Sequence, residues 1–253
     1  MKISVSIEPV FQNYDFIEGL KLTKSVGINH IEFWSWWDKD IERIQFATEK
    51  LNLNVVAFTT RFFDLVNPLK RNEYIFGLIE SIKVAQMLNC KNLITQVGDE
   101  LPYIPRWQQH QSIVQGLKAC VPYLQEAGIT LLVEPLNILV DHPGYYLYSS
   151  AEAFQIINQV NSPYVKVLYD IYHAQVMEGH LIATITKNID KIGHFHAAGN
   201  PGRHELYIGE INYPNVFEAI EETGFDGYMG LEYFPVDDPL LGLWRLVRGE
   251  GMN

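Results

Sequence analysis

The sequence predicts an α/β protein, a single-domain (β/α)8 TIM barrel, and three observations support this prediction. Short apolar runs alternate along the chain with longer segments of helical period, and turn residues separate them. The apolar runs lack a polar face, which is typical of a parallel sheet covered by helices. Eight units of each kind in 253 residues give about 32 residues per unit, the size of a βα repeat in a barrel of about 250 residues.

The predicted strands and helices follow one another in strict alternation. The strands cover residues 3–7, 30–34, 54–59, 92–97, 130–134, 165–169, 192–196 and 228–232. The helices cover residues 15–26, 38–51, 71–89, 106–127, 150–160, 179–190, 213–223 and 238–247. Asp15, Asp38 and Ser149 precede helices as N-caps, and Gly27 and Gly128 follow helices where a left-handed C-cap is expected.

One domain is expected, because no linker or low-complexity tract divides residues 1–253. A doubly wound open sheet is the competing architecture. Its usual nucleotide-binding signs are absent, since no GxGxxG follows the first strand and no GxxxxGK[ST] occurs. The sequence therefore favours the closed barrel.

Composition excludes several classes of function. The formal net charge of -11 disfavours a nucleic-acid partner, because a phosphate backbone would be repelled. No apolar run approaches the ~18 residues of a membrane helix. Cys90 and Cys120 are the two cysteines, both expected to be inert packing residues, and no apolar leader is visible. We expect a reduced, cytoplasmic protein that binds a small molecule.

Four consecutive predicted strands end an apolar run with a polar side chain. These residues are Glu134, Asp170, His196 and Glu232. In a barrel of this kind the carboxyl ends of the strands meet at the catalytic face, so the four side chains are expected to converge. Buried carboxylates are costly without a compensating charge, and the sequence places only Arg203 near them. We therefore predict a divalent metal, Mn²⁺ or Mg²⁺ with Co²⁺ also compatible, because three oxygen donors and one imidazole suit these ions.

Two further residues are predicted to bind substrate. His173 lies three residues beyond Asp170 at the expected barrel mouth, where a neutral imidazole can bond a substrate oxygen. Arg203 lies in a Pro- and Gly-containing loop after strand seven, where its guanidinium can hold a carboxylate or vicinal oxygens.

Other residues near the strand ends leave their roles open. His194 shares a face with His196 and is interpreted equally as a core histidine or as a support for the ligands. Glu8 and Glu32 lie near the ends of strands one and two and are weaker candidates for the pocket. The aromatic block 33–37 is interpreted as pocket wall, core or subunit interface, so a homo-oligomer is also left open.

At these residues the chain resembles the hydroxypyruvate isomerases within the xylose isomerase-like TIM barrel superfamily, which also contains ketose 3-epimerases. The matching segments are VEPLN at 133–137, LYDIYHAQ at 168–175, MEG at 177–179, PGRHE at 201–205, GEINY at 209–213 and GLEY at 230–233. The similarity is dense from about residue 130 to 235, whereas the segment 32–38 departs from these isomerases.

The resemblance implies a metal held by Glu134, Asp170, His196 and Glu232, with both glutamates also moving protons. It implies that His173 and Arg203 hold the substrate. Position 196 is often Gln in hydroxypyruvate isomerases and His in ketose 3-epimerases, whereas a further Glu of the epimerases is replaced here by Val140. The histidine at position 196 favours an epimerase, whereas the valine at position 140 disfavours one.

The predicted activity is therefore a metal-dependent isomerisation through an enediolate. Its substrate is hydroxypyruvate, giving tartronate semialdehyde, or a related hydroxy-keto acid. The alternatives are a ketose 3-epimerase, a noncatalytic sugar-binding barrel and, disfavoured by the negative charge, a metal-dependent phosphodiesterase.

Overall fold

The computed structural model describes residues 1–61 and 64–249, and it confirms the predicted (β/α)8 barrel. Eight parallel strands pair in sequence order, and β8 closes the barrel on β1. The strands are β1 Lys2–Ser6, β2 His30–Phe33, β3 Asn54–Thr59, β4 Asn92–Thr95, β5 Thr130–Val133, β6 Val165–Asp170, β7 Ile192–Ala197 and β8 Tyr228–Leu231. The expected domain runs to residue 253, and residues 62, 63 and 250–253 lie outside the described part of the chain.

Ten α-helices are present in the described residues, two more than predicted. They are α1 Ile7–Val10, α2 Phe16–Ser25, α3 Ile41–Leu51, α4 Arg71–Met87, α5 Arg106–Ala127, α6 Ser150–Val160, α7 Ile171–Met177, α8 Leu181–Asn188, α9 Tyr213–Glu222 and α10 Pro239–Arg248. Short 3-10 helices cover Pro68–Lys70 and Ile189–Lys191. The two additional helices, α1 and α7, begin directly after β1 and β6, so no turn residue separates them from the strands.

The helix ends follow the predicted capping residues with one correction. Asp15 accepts a hydrogen bond from the N–H of Ile17 at 3.0 Å at the start of α2. The prediction of Asp38 as the cap of α3 is wrong, because Asp40 accepts the bond from the N–H of Arg43 instead. Asp38 instead accepts a hydrogen bond from the hydroxyl of Ser35 at 2.6 Å.

Apolar side chains fill the barrel and the layer between strands and helices. A cluster formed by Val56, Ala57, Ile94, Leu132 and Leu168 is buried apart from the main core, which lies between the sheet and the helices. Complete burial of a Val, Ile or Leu side chain contributes about 1.5–3 kcal/mol to the free energy of unfolding. Polar side chains occur at both ends of the strands, and Asp170, His196 and the residues that directly follow β5 and β8 lie at the carboxyl end.

Among residues 1–61 and 64–249, no helix combines the length and the apolar character that crossing a bilayer requires.

Candidate active site

The four predicted metal ligands converge at the carboxyl end of the barrel. Glu134, Asp170, His196 and Glu232 each offer one ligand atom, and these atoms lie within 4.8 Å of one another. The parallel register explains the convergence, since Asp170 pairs with His196 across β6 and β7, and His196 pairs with Gly230 across β7 and β8. All four side chains are buried.

The imidazole of His196 gives the clearest sign that this cluster fits a metal ion. Its Nδ1 lies 3.4 Å from Oε1 of Glu134 and 3.4 Å from Oε2 of Glu232. This nitrogen is buried and has no hydrogen-bond partner. A buried nitrogen without a partner is rare in proteins. One nitrogen facing carboxylate oxygens is a donor set for a divalent cation such as Mn²⁺ or Mg²⁺.

Each carboxylate of the cluster is held through its other oxygen by a single donor. The pairs are Gln96 Nε2 to Glu134 Oε2 at 2.7 Å, Trp34 Nε1 to Glu232 Oε1 at 2.6 Å, and the backbone N–H of His173 to Asp170 Oδ1 at 2.9 Å. In this arrangement one oxygen of each group is fixed by the protein. The second oxygen of each carboxylate faces the centre of the cluster, and that of Glu232 also accepts a hydrogen bond from Arg203.

Burial and the neighbouring charges shift the pKa values of Glu232, Asp170 and His196. Burial alone would raise the pKa of Glu232, but the charges of His196 and Arg203 outweigh burial and lower it. For Asp170, burial dominates and raises the pKa despite Arg203. Burial would lower the pKa of His196, yet Glu232 and Glu134 hold it well above its ordinary value. His196 and Arg203 therefore offset part of the negative charge that the three carboxylates place in the site.

The predicted substrate residue Arg203 reaches the carboxylates of the cluster. Its guanidinium donates to Glu232 and lies 3.9 Å from Oδ2 of Asp170. The loop that carries it is closed by a hydrogen bond from the N–H of Gly199 to the carbonyl of His204 at 2.7 Å. Gly209 must remain glycine for this loop to close, since a Cβ there would lie 2.1 Å from the carbonyl oxygen of Asn200. The structure thus places Arg203 beside the cluster.

The other predicted substrate residue, His173, is oriented by Asn137. Its Nδ1 accepts hydrogen bonds from the backbone N–H of Asn137 at 3.2 Å and from the side-chain Nδ2 at 2.7 Å. In the neutral ring the hydrogen therefore lies on Nε2, which is buried and has no partner. Burial and the charge of Arg203 lower the pKa of His173 to about 3, so the ring is neutral. A neutral N–H lining the cavity is available to a substrate oxygen.

A cavity of about 920 Å³ opens over the cluster. The aromatic block forms one of its walls, since Phe33, Trp34 and Trp37 line it. Asp64 and Asp99 line it as well, so its wall carries additional negative charge. The structure supports both pocket wall and core, because Phe33 is also buried in the core and Trp36 packs against it. The subunit interface stays a prediction.

Sequence reasoning missed Gln96, which contacts the ligand Glu134, and Asn137, which contacts His173, and it undervalued Glu32. Gln96 and Asn137 were not singled out, and Glu32 was rated as a weak candidate. Glu32 lies within β2. Gln96 directly follows β4, just as Glu134 directly follows β5 and Glu232 directly follows β8. Applying the strand-end criterion to every strand would have found Gln96. Glu8 is placed differently, because it belongs to α1 and pairs with Lys39 at 2.8 Å.

Comparison with known proteins agrees with this architecture. The family model described as xylose isomerase-like TIM barrel matches residues 20–245. The hydroxypyruvate isomerase of Escherichia coli (strain K12) is 32% identical over 251 residues, which cover 96% of this chain and 97% of that protein.

Two solved structures show the same fold. A protein described as AP endonuclease, family 2 from Brucella melitensis superposes with a TM-score of 0.93 at 29% identity, covering 97% of this chain and 98% of its own. An L-ribulose 3-epimerase superposes with a TM-score of 0.82 over 100% of this chain and 95% of its own, and at 20% identity this shows the fold alone. The chain belongs to the xylose isomerase-like TIM barrel family and is an isomerase.

Proposed function

We propose that this protein is a metal-dependent isomerase of small α-hydroxy-keto acids, converting hydroxypyruvate to tartronate semialdehyde or acting on a related 2-oxo acid. The main support is the unpartnered Nδ1 of His196, 3.4 Å from both Glu134 and Glu232. The similarity to the Escherichia coli hydroxypyruvate isomerase supports the substrate class.

Glu134, Asp170, His196 and Glu232 would hold the metal. The ion, Mn²⁺ or Mg²⁺ with Co²⁺ also compatible, supplies a positive charge that stabilises the negative oxygen formed when a proton beside a carbonyl is removed. A carboxylate without such help cannot remove so weakly acidic a proton at a useful rate. The four groups fit the ion because one carboxylate oxygen or ring nitrogen of each already lies within 4.8 Å of the others.

Glu134 and Glu232 are the proton-transfer groups in this proposal. They follow β5 and β8, so they approach a substrate over the barrel mouth from different sides. One carboxylate removes the proton from the hydroxymethyl carbon, which leaves an enediolate. The other carboxylate, protonated from water, gives its proton to the neighbouring carbon, while the hydroxyl proton of the substrate passes to the former carbonyl oxygen. The first carboxylate then releases its proton to water, which restores the starting state.

His173 and Arg203 orient the substrate. The Nε2–H of His173 donates to a substrate oxygen, because Asn137 occupies the other ring nitrogen. Arg203 presents a guanidinium to the carboxylate of a keto acid or to the hydroxyls of a sugar. Its bond to Glu232 keeps it at the edge of the cluster.

A ketose 3-epimerase is the second candidate, and the size of the cavity favours it. A space of about 920 Å³ exceeds what a three-carbon acid fills. Epimerisation would use the same two glutamates, with removal and return of the proton on opposite faces of one carbon.

A phosphodiesterase acting on DNA fits less well, despite the name of the Brucella melitensis protein. The chain carries a net charge of -11, and its cavity wall includes Asp64 and Asp99 in addition to the ligand carboxylates. Both features repel a nucleic-acid backbone.

The variants Glu134→Gln and Glu232→Gln test the proposal. Hydroxypyruvate, 2-oxo-tetronates and free ketoses would be assayed with Mn²⁺ or Mg²⁺, together with uptake of deuterium from D2O into the product. We expect each variant to lose about 100-fold or more in turnover, the usual contribution of a general acid or base. Glu152→Gln serves as the control, because Glu152 pairs with Arg106, His110 and Tyr146 and does not line the cavity.

Unchanged turnover of either cavity variant would contradict the proton-transfer roles. A wild-type protein that binds a sugar without deuterium uptake would instead be a noncatalytic sugar-binding barrel. Turnover of ketoses alone would identify the epimerase alternative.

A further inference from the structure

Glu32 is a buried carboxylate that the proposed proton transfers do not use. It is 1% exposed and lies in β2. Its Oε2 lies 3.0 Å from Nε2 of His196 and 3.1 Å from Nε2 of His194. Its Oε1 accepts a hydrogen bond from Ser4. Glu32 therefore joins β1, β2 and β7 beneath the candidate metal ligands.

The chemistry of a carboxylate fixes which nitrogen of His196 carries hydrogen. An ionised carboxylate can only accept hydrogen bonds, so the Nε2 atoms of both histidines must be the donors. The neighbouring carboxylates favour hydrogen on both nitrogens of His196 when no cation is bound. A bound cation would replace the hydrogen on Nδ1, and the ring that keeps hydrogen on Nε2 would then offer the electron pair of Nδ1. That electron pair faces Glu134 and Glu232, which is the orientation that a metal ligand requires.

The packing around this pair restricts how the imidazole can move. The rings of His194 and His196 meet edge to face with their centroids 5.2 Å apart. Gly230 of β8 leaves room for the pair, because a Cβ there would lie 2.6 Å from Oε1 of Glu32 and 2.7 Å from Cδ2 of His196. The absence of a side chain at position 230 lets the carboxylate reach the ring.

We propose that Glu32, steadied by His194 and Ser4, is a positioning residue that holds His196 with Nδ1 directed to the metal. This inference rests on the proposed function, in which His196 is a metal ligand. Glu32 lines the cavity, but in this role it does not bind the metal itself. It acts through the orientation and the basicity of the His196 ring.

The test compares Mn²⁺ binding by the metal-free full chain, its Glu32→Gln variant and the Glu152→Gln control by isothermal titration calorimetry. Glu152 is a matched control, since it also accepts bonds from three side chains, one of them a histidine. We expect one Mn²⁺ per wild-type chain, an increase in Kd of about 10–100-fold for Glu32→Gln, and no change for Glu152→Gln.

Three outcomes would overturn the inference. The last of them, a wild-type chain without a bound ion, would also overturn the proposed function. An unchanged Kd for Glu32→Gln would show that Glu32 does not position the ligand. Two Mn²⁺ per wild-type chain, with one lost in Glu32→Gln, would show that Glu32, His194 and His196 bind an ion of their own. A wild-type chain that binds no divalent ion would remove the proposed function, whereas normal binding in both proteins would remove only the role of Glu32.

A second measurement keeps the inference testable if Glu32→Gln does not fold. The histidine ring signals of the wild-type protein, labelled with nitrogen-15 and loaded with diamagnetic Mg²⁺, report the position of each ring hydrogen. The His196 signals are assigned by their loss in His196→Gln. Hydrogen on Nε2 supports the inference, and hydrogen on Nδ1 overturns it.

Discussion

The indole Nε1 of Trp34 lies 2.6 Å from Oε1 of Glu232 and donates a hydrogen bond to it. The backbone N–H of Trp34 is itself held by both carboxylate oxygens of Glu8, at 3.0 and 3.1 Å. Trp34 thus links the segment after β2 to the proposed proton-transfer group after β8. Its ring also forms part of the cavity wall.

Replacing Trp34 with Phe removes this hydrogen bond while keeping an aromatic ring in the wall. A hydrogen bond to a charged group contributes about 1.5–3 kcal/mol, so we expect kcat to fall by about tenfold or more. The change in KM should be smaller, because the ring remains. Steady-state kinetics separate the two parameters. Trp107→Phe is the control, since Trp107 is exposed on α5 and does not line the cavity, and an equal loss there would contradict the role of Trp34.

Removal of divalent ions is expected to abolish turnover. Glu134, Asp170 and Glu232 would then have only Arg203 and His196 to offset their mutual repulsion. Dialysis against a chelator followed by return of Mn²⁺ or Mg²⁺ should restore the rate. Thermal unfolding measured before and after dialysis should show a lower Tm without the ion, since a ligand bound to the folded state stabilises it. Full activity after chelation, confirmed by metal analysis, would contradict the metal dependence.

Arg203→Met tests whether the guanidinium holds the substrate carboxylate. We expect KM for hydroxypyruvate to rise by about tenfold or more, the effect of losing a charge-assisted hydrogen bond. KM for an uncharged ketose should rise less, because hydroxyls form weaker bonds with the guanidinium. Loss of the bond to Glu232 also affects kcat, so the informative quantity is the ratio of the two KM changes. Equal changes for acid and ketose would rule out recognition of the carboxylate.

Glu152 gives a prediction for stability as a function of pH. Burial would raise its pKa, but hydrogen bonds from Tyr146, His110 and Arg106 lower it below its ordinary value of 4.5. The unfolded chain therefore binds its proton more readily than the folded protein, and the stabilisation is present above about pH 4.5 and lost as the pH falls below it.

The free energy of unfolding, measured by urea titration, checks this sign. Glu152→Gln should lower it by about 1–2 kcal/mol at neutral pH. The difference from wild type should shrink as the pH falls from about 6 to about 3.5. A difference that stays constant over this range would contradict the assigned ionisation.

The two cysteines are expected to resist alkylation in the folded protein. Burial raises the pKa of both Cys90 and Cys120 to about 12, so neither forms the reactive thiolate at neutral pH. Mass spectrometry after iodoacetamide treatment should show no adduct on the native protein and two adducts after unfolding in urea. Rapid labelling of the native protein would contradict their role as packing residues.

The sequence alone determined the barrel and the four candidate ligands. Alternating apolar runs indicate parallel strands, and the carboxyl ends of parallel strands in a closed barrel meet at one face. Polar residues at four consecutive strand ends, from Glu134 to Glu232, were therefore expected to converge, and they do. The same positional reasoning placed His173 and Arg203 beside the cluster. The cap of α3 is Asp40, whereas Asp38 bonds to Ser35. Both are aspartates near the start of the helix, so residue type alone could not show which of them bonds the helix end.

Only the tertiary structure decided how these groups are held. Trp34 and Glu232 are 198 residues apart in sequence, and Glu32 and His194 are 162 apart. Closure of β8 on β1 brings β1 and β2 beside β7 and β8. The periodicity of the sequence does not predict which side chains of these strands then meet. Hydrogen bonding depends on atoms within about 3 Å and on their direction, whereas a sequence pattern specifies only the strand and the face.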